Sequence, residues 1–326
     1  MKNSTLLIVL GEPNSIFSEI LFKTYKKNII KKLNKPILVI GSISLLKAQM
    51  KSLKYAIKIK KINFITKKKL NLNKEYINVI DVKYRFKKPF DKLSYNSNLY
   101  ISECFKIAIK LLKSKSVFAL INGPISKTHF LKKKYLGITE YLANKTKVKE
   151  KPTMLIYNPT FSVCPVTTHL PINKVSKNLN KKKIIRDVCN IDIFFKKNHK
   201  KKPKFAILGL NPHCESTEKI SEEKTIIIPA IKALIKKNIK IKGPFSADTF
   251  FSKQNLTDFD VAVGMYHDQV LGPMKTIFNF DAINLTLGLP FLRVSPDHGT
   301  NVAMMGKNKS SPQSLISSIN FFKKIK

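Results

Sequence analysis

The sequence predicts an α/β fold with mostly parallel sheets, and three observations support this prediction. Short apolar runs such as residues 5–10 (TLLIVL) and 36–40 (PILVI) have the length and composition of strands buried on both faces. These runs alternate with longer segments of helical periodicity, which is the β-α-β pattern of a parallel sheet. The 326 residues are also enough for one large or two ordinary α/β domains.

The first part of the chain follows this pattern from its start. The predicted elements are a strand at residues 5–10, a helix at 16–33, a strand at 36–40, a helix at 42–55, short strands within 57–84, a helix at 96–114 and a strand at 117–121. The helix at 96–114 has the clearest pattern, because its apolar residues recur three and four positions apart. The strand at 117–121 runs directly into the polar motif NGPISK.

The central part of the chain repeats one pattern three times. Strand-like segments at residues 161–168, 205–210 and 261–265 end at His169, at His213 and at His267, with predicted helices at 181–197 and 222–237 between them. Ligands of open α/β sheets bind beyond the carboxyl ends of the strands, so the three imidazoles can converge there.

Three neutral imidazoles on separate elements can hold a divalent cation with coordination positions left open for a substrate. Each of these histidines can equally be a capping or hydrogen-bonded structural residue. His199 differs from them because it lies in a lysine run, and we expect it to be solvent-exposed.

The net charge of +41 comes almost entirely from lysine, with arginine only at Arg85, Arg186 and Arg293. The lysines are spread between apolar segments without interleaved aromatic residues, which favours a solvated surface in a protein from an AT-rich genome over a nucleic-acid interface. Nucleic-acid binding remains the alternative from another functional class, and salt-sensitive binding would distinguish it.

No apolar run is long enough to span a bilayer, and the run at residues 6–10 is too short for a signal-peptide core. We therefore expect a cytoplasmic protein with no membrane partner. The cysteines, Cys104, Cys164, Cys189 and Cys214, occur singly, so reduced thiols are favoured over a disulfide framework or a zinc finger.

The sequence contains neither a GxGxxG fingerprint nor a phosphate-binding P-loop. A phosphate group would therefore be bound by side chains such as Lys275 and Arg293 and by helix N-terminal amides.

Several ordered motifs resemble one enzyme family. They are GEP, NGPISK, GITE, TTHLP, GLNPH, GPFSADTFF, MYHDQ, the following Lys275, and NLTLGLPFLRVSPDHGT, and they extend from Gly11 to Thr300. Together they resemble the 4-hydroxythreonine-4-phosphate dehydrogenases of pyridoxal phosphate biosynthesis.

The resemblance implies an isocitrate/isopropylmalate dehydrogenase-like fold with two α/β/α domains and a cleft between them. Residues 1–136 and 300–326 would form the first domain, and residues 137–299 the second, with the metal site and a homodimer interface.

The resemblance also implies roles for individual residues. The metal ligands would be His169, His213 and His267, in a site shared between subunits, and the substrate-binding residues would be Thr139, Lys275, Asn284 and Arg293. The nicotinamide cofactor would approach Leu287, Gly288, Leu289, Pro290, Asp297 and Gly299. Asp248 and Asp268 are the candidate catalytic bases, although either can equally cap a helix or orient a ligand.

The implied reaction is oxidation of 4-phosphooxy-L-threonine by NAD or NADP to 2-amino-3-oxo-4-phosphooxybutanoate, which loses CO2 to give 3-amino-2-oxopropyl phosphate. One zinc, magnesium, cobalt or manganese ion per subunit would acidify the substrate hydroxyl and accept electron density from the new carbonyl. The sequence does not choose among these metals or between the two cofactors.

Two departures from the family pattern affect this interpretation. Ile138 stands where the family has a substrate-contacting histidine, and the loop after His213 reads CESTEKISEE without glycine but with Glu215, Glu222 and Glu223. Since Ile138 cannot hydrogen-bond a ligand, the alternative substrate is another phosphorylated four-carbon hydroxy acid, such as a phosphothreonate or phosphoerythronate.

Overall fold

The computed structural model describes residues 5–27, 29–30, 32–33, 35–64, 70–126, 128–131, 135, 137–214, 220–279, 282–296 and 298–325. The strands are β1 (Leu6–Val9), β2 (Ile37–Gly41), β3 (Ile59–Lys61), β4 (Ile77–Asp81), β5 (Ala119–Asn122), β6 (Thr153–Tyr157), β7 (Ser162–Thr167), β8 (Lys204–Leu208), β9 (Lys240–Phe245), β10 (Val261–Tyr266), β11 (Ile283–Leu287) and β12 (Leu292–Ser295). The helices are α1 (Phe17–Lys26), α2 (Ile43–Ser52), α3 (Asn98–Lys113), α4 (Ile138–Lys145), α5 (Val175–Asn178), α6 (Lys181–His199), α7 (Ile228–Ile235), α8 (Ala247–Phe250), α9 (Lys253–Asp258), α10 (His267–Phe278) and α11 (Gln313–Lys324).

These elements confirm the predicted α/β fold with mostly parallel strands. The predicted helix at residues 96–114 is α3, and the predicted strands that precede the three histidines are β7, β8 and β10. The first helix is shorter than predicted, since α1 ends at Lys26. Over the described ranges, no helix has both the length and the apolar character needed to cross a membrane.

The chain forms two compact units, unit 1 of Met1–Lys149 with Leu289–Lys326 and unit 2 of Glu150–Gly288. These boundaries differ from the predicted ones at 136/137 and 299/300 for two physical reasons. The side chains of Tyr141 and Leu142 on α4 are part of the apolar core of unit 1. Strand β12 pairs in parallel with β5, so Arg293 lies opposite Leu120. Thr139 and Arg293 therefore belong to unit 1.

Unit 1 contains strands in the order β3-β4-β2-β1-β5-β12, and the strand pairs described within it are parallel. Its central strand β1 is fully buried and pairs on both sides, with Leu6 opposite Ile37 of β2 and opposite Ala119 of β5. This burial explains why its sequence is an unbroken apolar run rather than an alternating one. The apolar stripe of α3, with Ile101 and Phe105, packs into the same core.

Unit 2 contains strands in the order β11-β6-β7-β10-β8-β9. Strands β7, β10, β8 and β9 are parallel neighbours, whereas β6 runs antiparallel to both β7 and β11. Tyr266 at the end of β10 pairs with Thr167 at the end of β7. On the other side of β10, Val263 pairs with Ile207 of β8. The carboxyl ends of β7, β10 and β8 are therefore side by side, which places the loops that follow them at one edge.

Glu12, in the GEP motif after β1, fixes the carboxyl end of this strand to its surroundings in unit 1. Its backbone N–H donates to the Pro124 carbonyl at 2.8 Å, and its carboxylate accepts from the Ser97 hydroxyl at 3.0 Å and from the Asn14 N–H at 3.3 Å. The side chain is only 2% exposed. Desolvation raises the pKa of Glu12 to about 6, although the hydrogen bonds from Asn14 and Ser97 oppose this shift.

We expect this carboxyl group to make stability depend on pH. Because the folded-state pKa lies above the unfolded value of 4.5, ionisation is easier in the unfolded chain, and stability is lost as pH rises from about 4.5 to about 6. The variant Glu12→Gln keeps the shape without the titration. Urea unfolding should show that its free energy of unfolding minus that of wild type is about 1 kcal/mol larger at pH 7 than at pH 5, because only the wild-type protein loses stability over this range. An equal difference at the two pH values would show that Glu12 has an ordinary pKa.

Candidate active site

Three histidines follow the adjacent parallel strands of unit 2, as the sequence predicted. His267 is the first residue of α10 and comes directly after β10, while His169 lies in the loop after β7. The centroids of these two rings are 5.7 Å apart, with their planes at 36°. His213 lies in the loop after β8, the strand on the other side of β10. The structure thus brings two of the predicted ligands together and places the third in the loop that follows the neighbouring strand.

Two of these histidines occupy an uncommon backbone conformation. His169 has a φ of 56°, and His213 and the following Cys214 have φ values of 54° and 60°. Non-glycine residues rarely adopt the left-handed region, at a cost of about 1–3 kcal/mol each, and such residues cluster at functional sites. The surrounding contacts must therefore hold these loops in place.

His267 is oriented by its neighbour Asp268. Its Nδ1 lies 2.7 Å from a carboxylate oxygen of Asp268, whose side chain is 89% exposed. An ionised carboxylate can only accept, so Nδ1 carries the hydrogen and the lone pair of Nε2 is available to a metal or a proton. Asp268, one of the two candidate bases, is therefore in a position to orient an imidazole.

Asp248, the other candidate base, lies near His213. It is exposed in the first turn of α8 and accepts a hydrogen bond of 2.6 Å from the Ser246 hydroxyl. This bond lowers the pKa of Asp248 below its ordinary value, and the nearby His213 acts in the same direction. Asp248 is consequently ionised at neutral pH, as a proton acceptor must be.

The donor set at this edge is of the type that divalent transition metals prefer. Among the residues that the structure describes, however, no group of three His, Cys, Asp or Glu side chains converges closely enough to hold a metal. The described part of one chain thus supplies the pair of His169 and His267.

Asn284 and Lys275, two predicted substrate contacts, also belong to unit 2. Asn284 lies on β11, and its side-chain oxygen is buried with no hydrogen-bond partner among the residues that the structure describes. Leaving a buried amide oxygen unsatisfied costs about 1–3 kcal/mol, so this atom is suited to accept from a ligand. Lys275 is exposed in the last turn of α10, about 12 Å along the helix axis from His267.

Unit 1 contains the predicted pair of Arg293 and Thr139. Arg293 is 2% exposed on β12, and its guanidinium donates to the Asn122 side-chain oxygen at 2.8 Å and to the Thr139 hydroxyl at 3.2 Å. Desolvation lowers the pKa of Arg293 to about 10, and the nearby Glu140 opposes this shift. The side chain is therefore still charged at neutral pH, in a setting where its electrostatic effect is strong. Asn122 was not predicted as a site residue.

The predicted cofactor residues lie along the chain from β11 to the loop after β12. Leu287 is buried at the end of β11, Gly288 is exposed with a φ of 86°, and Leu289 packs against the core of unit 1. Pro290 and Gly299 are exposed. Asp297 lies outside the described residues, as does Glu215 of the loop after His213.

Glu223 and Gln269 were not predicted as site residues, although both contact the backbone of the histidine loops. Glu223 accepts from the N–H groups of Leu210 and Asn211. Burial alone would raise the pKa of Glu223, but these hydrogen bonds hold it below its ordinary value. Gln269 donates to the Gly209 carbonyl at 2.7 Å. A glutamate in an acidic run and a glutamine within a helix carry no sequence signal for such contacts.

Comparison with known proteins places these features in one family. The family model described as "Pyridoxal phosphate biosynthetic protein PdxA" matches residues 32–322. A 4-hydroxythreonine-4-phosphate dehydrogenase from Sulfurihydrogenibium sp. is 38% identical over 321 residues, covering 96% of each chain. A D-threonate 4-phosphate dehydrogenase from Salmonella typhimurium is 30% identical, over 95% of this chain and 96% of that protein.

Solved structures agree with this result. The crystal structure of 4-hydroxythreonine-4-phosphate dehydrogenase from Klebsiella pneumoniae has a TM-score of 0.85 at 26% identity, covering 99% of this chain and 98% of that chain. A beta-decarboxylating dehydrogenase from Thermococcus kodakarensis, at 8% identity and a TM-score of 0.52, covers 97% of this chain and 82% of that chain and shares the fold alone. The chain belongs to the PdxA family of dehydrogenases.

Proposed function

We propose that the protein oxidises 4-phosphooxy-L-threonine with NAD or NADP to 2-amino-3-oxo-4-phosphooxybutanoate, which decarboxylates to 3-amino-2-oxopropyl phosphate in pyridoxal phosphate biosynthesis. A relative named 4-hydroxythreonine-4-phosphate dehydrogenase is 38% identical across 96% of the chain and supports this proposal. The observation that carries the proposal is the pairing of His169 with His267 at the strand ends of unit 2, where Asp268 orients His267.

In this proposal His169, His213 and His267 hold one zinc, magnesium, cobalt or manganese ion. The metal would act as a Lewis acid that makes the substrate hydroxyl more acidic. In the neutral imidazole, the hydrogen bond from Nδ1 of His267 to Asp268 leaves the lone pair on Nε2, where a metal would bind. We further propose a cytoplasmic homodimer in which a second copy completes the site, because the pair of imidazoles in one chain leaves coordination positions to fill.

Four residues are proposed to bind the substrate. Arg293, held by Asn122 and Thr139, offers a charged fork to an anionic oxygen. Asn284 supplies a buried acceptor, and Lys275 supplies a point charge. Asp248 and Asp268 remain the candidate acceptors of the hydroxyl proton, and residues 287–290, Asp297 and Gly299 remain the proposed cofactor contacts. We assign the basic charge to solvated lysines and propose no nucleic-acid partner.

A second candidate substrate is a phosphorylated four-carbon hydroxy acid such as a phosphothreonate. The Salmonella relative named for D-threonate 4-phosphate covers 95% of the chain. Ile138, where the family has a histidine, packs against the apolar core of unit 1 at the start of α4 and offers no hydrogen bond. An amino-acid substrate would therefore lack the hydrogen bond that a histidine at position 138 could make.

Reduced cofactor formation distinguishes the two substrates. Purified protein with NAD and manganese should produce NADH from 4-phosphooxy-L-threonine, measured by absorbance, and a chelator should abolish the signal. The kcat/KM for 4-phosphothreonate and 4-phosphoerythronate should be at least tenfold lower. These acids lack the charged amino group, and the loss of one hydrogen bond from such a group has about this effect. Equal or higher kcat/KM with either hydroxy acid would assign the protein to the second candidate.

Replacement of His213 by alanine tests the metal assignment. Loss of one of three ligands should remove zinc from the purified protein and abolish turnover, while circular dichroism shows an unchanged fold.

The control is His199→Phe. His199 was expected to be exposed but is half-buried, stacked on Tyr157 with ring centroids 5.5 Å apart. Its replacement by another ring should leave zinc and turnover unchanged. Full metal content in His213→Ala would remove His213 from the ligand set.

Replacement of Arg293 by lysine tests the anion site. Lysine keeps the charge but loses the fork, so KM for the phosphorylated substrate should rise about tenfold to a hundredfold with kcat nearly unchanged. Arg186→Lys is the matched control, because Arg186 pairs with Asp187 on α6. Its KM should equal that of wild type. An Arg293→Lys enzyme with wild-type KM would exclude Arg293 from substrate binding.

A further inference from the structure

We propose that Glu222 and Glu223 are positioning residues that hold the loops of His213 and His169 in register and thereby set the affinity of the metal site. This inference rests on the proposed function, because it takes these histidines as metal ligands. Neither glutamate would contact the metal or the substrate. They would affect metal affinity through the backbone conformation of the loops that carry the imidazoles.

Glu223 fixes the backbone just before His213. It is 1% exposed and begins a π-helical turn, Glu223–Ile227, that leads into α7. One carboxylate oxygen accepts from the N–H groups of Leu210 and Asn211 at 2.8 and 2.9 Å, and the other accepts from the Asn211 side-chain amide at 2.8 Å. Asn211 lies two residues before His213, whose φ of 54° needs such support.

Glu222 connects this loop to the one that carries His169. One of its carboxylate oxygens accepts from the Asn211 side-chain amide at 3.0 Å, and the other accepts from the Ser176 hydroxyl. Ser176 lies on α5, in the segment that follows His169 along the chain. The Asn211 amide therefore bridges two carboxylates, and a continuous set of hydrogen bonds links the segments after β7 and β8.

Gln269 provides the corresponding link to the third histidine. Its side-chain oxygen accepts from the Met265 N–H, and its amide donates to the Gly209 carbonyl, both at 2.7 Å. Gln269 lies two residues after His267. Glu223 and Gln269 thus contact backbone groups within four residues of His213 and His267. The tie to the segment after His169 is the hydrogen bond from the Ser176 hydroxyl to Glu222. Such outer contacts typically change metal affinity by 10–100-fold when removed.

The hydrogen bonds around position 223 require a carboxylate rather than an amide. Both of its oxygens accept, and the groups that face them are donors. In Glu223→Gln one of the oxygens becomes an NH2 group, which would face the Asn211 amide donor or the two backbone N–H groups. The substitution keeps the side-chain volume but replaces the hydrogen bonds at one of the two oxygens by a contact between two donors.

The test measures binding of cobalt ion alone to the full-length wild-type protein, His213→Ala, Glu223→Gln and Asp187→Asn. Isothermal titration calorimetry gives the Kd, and the visible cobalt spectrum reports ligand geometry. Glu223→Gln should bind about 10–100-fold more weakly with an altered spectrum. Asp187→Asn is the control for loss of a buried carboxylate. Asp187 is 2% exposed, and its hydrogen-bond partners are Thr153 and Arg186. Its Kd and spectrum should match those of wild type.

The outcomes separate this inference from the proposed function. If the wild-type protein binds no cobalt, or His213→Ala binds it equally well, the metal assignment fails and the inference fails with it. If His213→Ala loses binding but Glu223→Gln keeps the wild-type Kd and spectrum, the metal site stands and the positioning role is overturned. Should Glu223→Gln not fold, Ser176→Ala removes the bond from the Ser176 hydroxyl to Glu222 and leaves Glu223 in place. A Kd raised severalfold in that variant supports the inference, and a wild-type Kd contradicts it.

Discussion

The parallel pairing of β10 with β7 on one side and with β8 on the other is the constraint on which the candidate site depends. It brings the ends of three strands to one edge, so that residues far apart in sequence reach a common region. Buried side-chain bonds secure this alignment, since the Thr167 hydroxyl donates to the Met265 carbonyl at 2.7 Å and Gln269 joins the ends of β10 and β8. A register shift of one residue would turn every side chain of a strand to the other face and separate the histidines.

Much of the fold could be predicted from the sequence because strands buried on both faces are continuous apolar runs. Strands β1 and β2 have this character. These two strands, together with β7 and β10, were predicted within two residues of their ends. Strand β9 was missed because lysines and a Gly-Pro pair interrupt its pattern, as an outermost strand allows. The unit boundaries also differed, since the packing of α4 and the pairing of β12 with β5 are tertiary contacts that no local pattern contains.

Site residues could be located from the sequence where a functional residue type follows a predicted strand, as the three histidines do. Contacts between residues far apart in sequence could not be predicted. The type and motif of Arg293 predicted an anion contact, and this stays a prediction. Its burial and its bond to Asn122, 171 residues away in sequence, could not be seen in the sequence. His199 shows the opposite failure, since its lysine-rich neighbours suggested exposure while Tyr157, Phe194 and Phe195 surround its ring.

The net charge of +41 therefore says little about where an anion would bind. Exposed lysines act through water, where two unit charges 4 Å apart interact by only about 1 kcal/mol, and dissolved salt screens them further. Arg293 is buried, so its charge acts through a medium of lower effective dielectric, and Asn122 and Thr139 fix its direction. An oriented, desolvated guanidinium can thus bind an anion more specifically than a surface of exposed lysines can. Ile138, which precedes Thr139 at the start of α4, packs against the apolar core and offers no hydrogen bond. Under the proposed function, discrimination between an amino and a hydroxy substrate would therefore come from other groups.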